Sequence, residues 1–193
     1  MTDVAYDWDD YGSDFRDSPV YAAQEATIKS FLRELPDDAF ANVLEVGPGF
    51  GRITKIIVDA YGSLIENYRA VDVSPKALEA AQAYAGRTFS DVRVAAVQDA
   101  DEMLNWPKSS LVIAIEVLLH VPPGDVFSAI VNLLDATAPD GWLITCDWTV
   151  DLGSTPIRRD NHRHDYPKLL HAAGAREITS SQLGLQTIYR SRP

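Results

Sequence analysis

The chain has 193 residues, a length that suits one domain and a sizeable core. Hydrophobic residues make up 46% and charged residues 23%, and Cys146 is the single cysteine, which excludes wholesale disorder, collagen, a disulfide scaffold and a cysteine-rich zinc site. A net charge of −11 sets the surface against nucleic acid and anionic membranes, and with no membrane-length apolar run and no basic-then-apolar leader a cytoplasmic location is expected.

Residues 1–20 carry six aspartates and one arginine, interleaved with Tyr6, Trp8, Tyr11 and Phe15. Charge cannot hold so acidic an arm, so its aromatic rings are expected either to fold over a ligand site or to pack statically on the sheet edge. Over 19–35, Ala23, Ile28, Phe31, Leu32 and Leu35 recur at helical spacing, and Pro36 ends the helix. From residue 42 strands and helices alternate. NVLEVG is a short strand, and GRITKIIVDAYG a helix closed by Gly62. YRAVDV is a strand; Ser74 then caps a helix that has Pro75 in its first turn and Gly86 at its end. DVRVAAVQ is a strand, and SSLVIAIEV another, apolar enough to be buried on both faces. GDVFSAIVNLLDATAP reads as a helix, GWLITCDWTV as a strand and YPKLLHAAG as a short helix. REITSSQL and LQTIYRS close the chain as a hairpin. The alternation predicts an α/β fold, a doubly wound, mostly parallel seven-stranded sheet with an antiparallel hairpin strand at its C-terminal end.

The most informative segment is Glu45-Val46-Gly47-Pro48-Gly49-Phe50-Gly51-Arg52, where a strand runs into a loop with glycine at every second position and a helix follows. Glycine lets a ligand approach the backbone, and the helix start offers free N–H groups. A dinucleotide loop needs its third glycine where Arg52 stands, and a phosphate loop needs a G-K-[ST] ending that is absent. Glu45 would repel a pyrophosphate and attract an ammonium group. Asp72, at the end of the second strand, is placed to accept hydrogen bonds from two ribose hydroxyls. The ligand that suits this set is a nucleoside with an amine and no phosphate, as in S-adenosylmethionine.

With these residues the chain resembles the class I S-adenosylmethionine-dependent methyltransferases, Rossmann-like enzymes, over about residues 40–148. Glu45, Gly47, Gly49 and Gly51 match the family's acid-x-G-x-G-x-G block, and AVDVSPKALEAA its second block. VQDADEM resembles the block after the third strand and IEVLLHVPP the fourth, although Gln98 replaces a common glycine. The resemblance implies that S-adenosylmethionine is held by Glu45, Gly47, Pro48, Gly49, Gly51, Arg52, Asp72, Val73, Gln98, Asp99, Ala100, Glu116 and Val117. It also implies one domain: an arm and helix over 1–40, a cofactor-binding core over 41–148, a substrate loop over 149–164, and a helix and hairpin over 165–193.

The acceptor is read from the remaining segments. The fourth block lacks the [DN]-P-P-[YF] segment of base methyltransferases, which with the acidic surface speaks against nucleic acid. Leu119 stands where ubiquinone-pathway O-methyltransferases carry a second acid, so no metal is carried over. A looser carboxylate–imidazole set, Asp147 and Asp151 with His162 or His164, has weak spacing for a divalent ion. Residues 149–164 form a basic island of Arg158, Arg159, His162, Arg163 and His164. Loops this long are often functional. His162 or His164 is the preferred base and His120 the next, with Arg158 or Arg159 holding an anionic group of the acceptor. The expected reaction is methyl transfer to oxygen or nitrogen of a small molecule, without nucleic acid or membrane partners and with a homodimer as one way to cover the site. The rival expectations are a methyltransferase of a surface glycan or protein, and a silent cofactor-binding subunit.

Overall fold

The computed structural model describes residues 21–99, 105–148, 161–183 and 186–193. The acidic arm, Ala100, Asp151, Arg158 and Arg159 therefore lie outside the described residues.

In chain order the elements are α1 (Ala22–Arg33), β1 (Asn42–Val46), α2 (Arg52–Tyr61), β2 (Asn67–Asp72), α3 (Pro75–Ala85), β3 (Asp91–Val94), β4 (Ser109–Ile115), α4 (Val126–Ala136), β5 (Thr137–Trp148), α5 (Tyr166–Ala172), β6 (Arg176–Leu183) and β7 (Gln186–Arg192), with short 3-10 turns at Asp37–Phe40 and Leu118–His120. They build one seven-stranded sheet in the order β3-β2-β1-β4-β5-β7-β6. The first five strands pair in parallel, whereas β7 runs antiparallel to β5 and β6 antiparallel to β7. This is the α/β, doubly wound, mostly parallel sheet with a closing hairpin that the pattern predicts.

The two faces follow from strand alternation. Val43 on β1 belongs to the core under α1, α2 and α3, with Ile28, Leu32, Ile57 and Leu78. Leu44 and Val46 point the other way, into the core under α4 and α5, with Ile130, Leu133, Tyr166 and Leu170. Glu45 falls on the α1–α2–α3 side, a placement that decides its role below.

Two boundaries differ from expectation. The fourth helix stops at Ala136, and β5 begins at Thr137, so Thr137 to Pro139, expected in the helix, belong to the strand. Thr137 pairs with Ser109, and a register shift between Ser109 and Leu111 absorbs the irregular stretch. β3 is shorter than DVRVAAVQ suggests, because Val97 and Gln98 turn away at its end.

Candidate functional site

Strand β1 ends at Val46, and the chain turns through Gly47, Gly49 and Gly51 at φ of 65°, 52° and 88°, all in the left-handed region. Gly47 donates its N–H to the Val71 carbonyl at 2.7 Å, and Gly51 donates to Pro48 at 2.9 Å, so the loop folds back over the end of β2. Helix α2 starts without a side-chain cap, leaving its first N–H groups facing the loop's concave side.

A cavity of about 290 Å³ opens there, at the carboxyl ends of β1, β2 and β4. Gly47, Pro48, Gly49, Arg52, Asp72, Val73, Gln98, Glu116, Val117 and His120 border it. Ten residues singled out from the sequence thus line one cavity. Gly51 does not border the cavity; its Cα faces the Ala81 backbone. Asp99 is exposed and not on the wall, and Ala100 lies outside the described residues. Tyr21, Phe50, Ile53 and Val121 also border the cavity without having been singled out. Their apolar or aromatic character reads as core in a sequence, and only the topology puts them here.

Glu45 is placed differently from expectation. It is 3% exposed and absent from the cavity wall. Its Oε2 accepts the Tyr68 hydroxyl at 2.6 Å and the Thr54 hydroxyl at 2.7 Å. Burial pushes its carboxyl up to about 7, against the opposing pull of those two hydrogen bonds. Strand alternation turns this side chain under α2, so it anchors the helix from below and does not meet an ammonium group across the cavity.

Asp72 does face the cavity. Its Oδ2 accepts the Gly49 N–H at 3.2 Å and its Oδ1 the Ser74 N–H at 2.9 Å. Burial raises its carboxyl pKa, and those backbone donors counter the rise. Val73 is a third backbone donor to Asp72, and a carboxylate offers about four lone-pair sites, so capacity remains for a ribose hydroxyl. Gly47 packs closely against a second wall residue: a Cβ there would sit 2.5 Å from Cγ2 of Val117, whereas nothing lies within 4 Å of a Cβ on Gly49. A glycine-backed wall, a partly used buried carboxylate and a helix start fit S-adenosylmethionine, and Asp72 and the loop amides are the groups that could hold it. Asp72→Ala is expected to weaken S-adenosylhomocysteine binding at least about tenfold, the loss of one or two charge-assisted hydrogen bonds. Titration calorimetry showing an unchanged Kd would place the ribose elsewhere.

Glu116 follows β4 at φ 59°, a left-handed conformation rare for a residue with a side chain and common at functional sites. Its carboxylate accepts from the side-chain amide of Gln186 and lies 3.7 Å from Arg52. Burial raises its pKa, and the Arg52 charge and the amide contacts from Gln186 and Gln24 oppose the rise.

The next turn, Leu118–His120, puts His120 on the wall and is braced from behind. Asp147, wholly buried, accepts the Leu119 N–H through Oδ1 at 3.0 Å, and burial raises its carboxyl pKa well above the usual range. The His162 N–H donates to the Leu119 carbonyl at 2.6 Å, and the His164 ring Nε2 lies 3.0 Å from the Val121 carbonyl. His164 is 5% exposed, its pKa is lowered by burial, and neither it nor His162 borders the cavity. They grip the outer side of the segment whose inner side carries His120. Their rings lie 6.1 Å apart, as side chains two positions apart on an extended segment do, because alternate residues share a side. Among the described residues no group of three or more His, Cys, Asp or Glu side chains is gathered to hold a metal ion, and Asp147 is engaged with the turn. No helix among the described residues is long and apolar enough to cross a membrane.

Comparison with known proteins agrees with this geometry. The family described as "Methyltransferase domain" matches residues 44–143, more than half of the chain. No curated protein matches. Among solved structures, an O-methyltransferase family protein from Burkholderia thailandensis superposes with a TM-score of 0.69 at 18% identity, covering 92% of this chain and 58% of that one. The carbon methyltransferase CurJ gives 0.72 at 16% identity, covering 92% and 56%. The N-methyltransferase NodS from Bradyrhizobium japonicum, solved with S-adenosyl-L-homocysteine, gives 0.68 at 18% identity, covering 95% and 92%. The chain thus spans little more than half the length of the first two structures, and at these identities the likeness is one of fold. The family match covers the strand, glycine loop and acid that form the cavity, and the chain belongs to the methyltransferase domain family, with S-adenosylmethionine as its cofactor.

Proposed function

We propose that the chain transfers the methyl group of S-adenosylmethionine to an oxygen or nitrogen of a small molecule. The observation that carries the reading is where the cavity's ionisable groups stand, at the ends of different strands. Asp72 at the end of β2 suits the sugar, while Glu116 and His120 beyond β4 stand on the far side. The cofactor, when bound, supplies a methyl on a sulfonium that is its own leaving group. The protein's task is to align the acceptor and exclude water.

His120 is the imidazole on the wall, and a hydroxyl acceptor would pass its proton to it. Glu116 is placed to accept a hydrogen bond from an amine or hydroxyl. We assign the His162 backbone N–H and the His164 ring to bracing the His120 turn, because they reach the Leu119 and Val121 carbonyls. Solved structures of similar fold are described as acting on oxygen, nitrogen and carbon, so the fold alone does not select the acceptor atom.

The test is incubation with methyl-labelled cofactor and a panel of hydroxyl and amine acceptors. Label in small acceptors is the expected result. Label appearing only in added glycan or protein would overturn the small-molecule reading. Tight S-adenosylhomocysteine binding with no transfer to any acceptor would point to a silent partner subunit.

A further inference from the structure

Behind the wall residues Arg52 and Glu116 lies a closed ring of polar side chains drawn from four distant parts of the chain. Arg52 on α2 donates through Nη2 to Oε1 of Gln24 on α1. Gln24 donates through Nε2 to Oε1 of Gln186 on β7 at 2.9 Å. Gln186 donates through Nε2 to Oε1 of Glu116. The ring closes where Nη2 of Arg52 and Oε2 of Glu116 stand 3.7 Å apart. Gln24 is 2% exposed although it sits on a surface helix, and its amide also reaches the Cys146 sulfur at 3.4 Å.

The ring has a direction. A guanidinium can only donate and an ionised carboxylate can only accept, so the two ends fix how both amides are turned. Each glutamine must accept on its Arg52 side and donate on its Glu116 side. Reversing either amide would set an N–H against Arg52 or an oxygen against Glu116. The amide dipoles therefore align from the cation to the anion, an arrangement in which each bond strengthens the next. Neither glutamine borders the cavity, and Arg52 and Glu116 both do.

We propose that Gln24 and Gln186 are positioning residues of the site, a one-way hydrogen-bond relay that holds Arg52 and Glu116 on the cavity wall and makes helix α1 and strand β7 part of the binding machinery. The proposal rests on the reading of the cavity as the cofactor site. It accounts for the burial of a glutamine on α1 and for the left-handed backbone at Glu116, which the relay holds from its side-chain end. It also gives α1 a function beyond covering the sheet.

The relay makes a demand that packing alone does not, and isosteric variants read it. Gln186→Glu keeps the shape but sets one carboxylate against another at Glu116. Gln24→Glu can still accept from Arg52 but cannot donate to Gln186, and it sets a second carboxylate against Glu116, which the Gln24 amide also contacts. Titration calorimetry with S-adenosylhomocysteine is expected to show binding weakened about tenfold or more in each, as removal of a buried charge-assisted bond does. The double variant Glu116→Gln with Gln186→Glu restores a donor facing an acceptor at every link. It should recover most of the melting temperature lost by Gln186→Glu. Wild-type protein that fails to bind S-adenosylhomocysteine would overturn the cofactor-site reading itself. Wild-type binding with both single variants within about threefold of it would overturn the relay alone. A double variant no more stable than Gln186→Glu would also overturn it, because the direction of the bonds would then not matter.

Discussion

Gly51→Ala should lower the melting temperature by about 6–12 °C, the equivalent of about 3 kcal/mol in a chain of this size. Two costs add. Gly51 has φ +88°, and holding a residue with a Cβ in the left-handed region costs roughly 1–2 kcal/mol. A Cβ there would also lie 2.6 Å from the Ala81 Cα and 2.8 Å from the Ala81 carbonyl oxygen. Both are backbone atoms inside α3, so neither can swing aside as a side-chain tip would. Forcing the two helices apart adds about 1–3 kcal/mol. Gly86→Ala separates the two costs. It has φ +66°, and nothing lies within 4 Å of its added Cβ. Scanning calorimetry should place Gly51→Ala at least about 4 °C below Gly86→Ala. Equal shifts would show that α2 and α3 have slack at Ala81, and the close-approach argument would fail. The third glycine of the loop thus serves helix packing, while Gly47 and Gly49 serve the cavity.

That division was only partly legible in the sequence. The spacing of Gly47, Gly49 and Gly51 identifies the loop, because glycine at alternate positions after an apolar strand has few other uses. It does not say which glycine meets a ligand and which meets a helix 30 residues further along the chain, since Ala81 has no mark of its own. The strand order was legible for a related reason. Parallel strands need helical crossovers, and their alternation is written in local periodicity. Asp72, Glu116, Val117 and His120 could be placed because each lies at a strand end or within five residues of one, and strand ends in such a sheet converge. Gln24 and Gln186 could not be placed. They are 162 positions apart and meet only because α1 and β7 approach the same end of the sheet. The histidines of the basic island misled for the opposite reason. Their residue type suits a base, but His164 is turned to the Val121 carbonyl by the path of a loop whose course no local signal records. Glu45 could have been placed better. Alternation along β1 puts it on the side of Val43, under α2.

The second large effect follows from Glu45. Glu45→Gln should leave stability nearly unchanged at pH 5 and raise the melting temperature by about 5–10 °C at pH 8. In the folded protein the carboxyl titrates near 7, against 4.5 when the chain is unfolded. Between those values the folded state keeps a proton that the unfolded state has released. Stability therefore falls as pH rises through that window, and the loss is complete above about 7. A shift of this size corresponds to about 2–4 kcal/mol. Glutamine keeps an oxygen to accept the Tyr68 and Thr54 hydroxyls and has no proton to lose, so it escapes the penalty. Asp72, Glu116 and Asp147 are also raised by burial and tilt the pH profile the same way. They do so in both proteins, so the difference between the two melting curves isolates Glu45. A difference that stays constant from pH 5 to pH 8 would reject the assignment, and one that shrinks would mean the ionised carboxylate strengthens its two hydrogen bonds by more than burial costs it. The same variant settles what the acid in the glycine block does for the cofactor. With Glu45 turned beneath α2, Glu45→Gln should bind S-adenosylhomocysteine within about threefold of wild type, well under the tenfold that a lost charge-assisted hydrogen bond costs. A larger loss would mean that its charge reaches the ligand through the first turn of α2, where Arg52 stands between them.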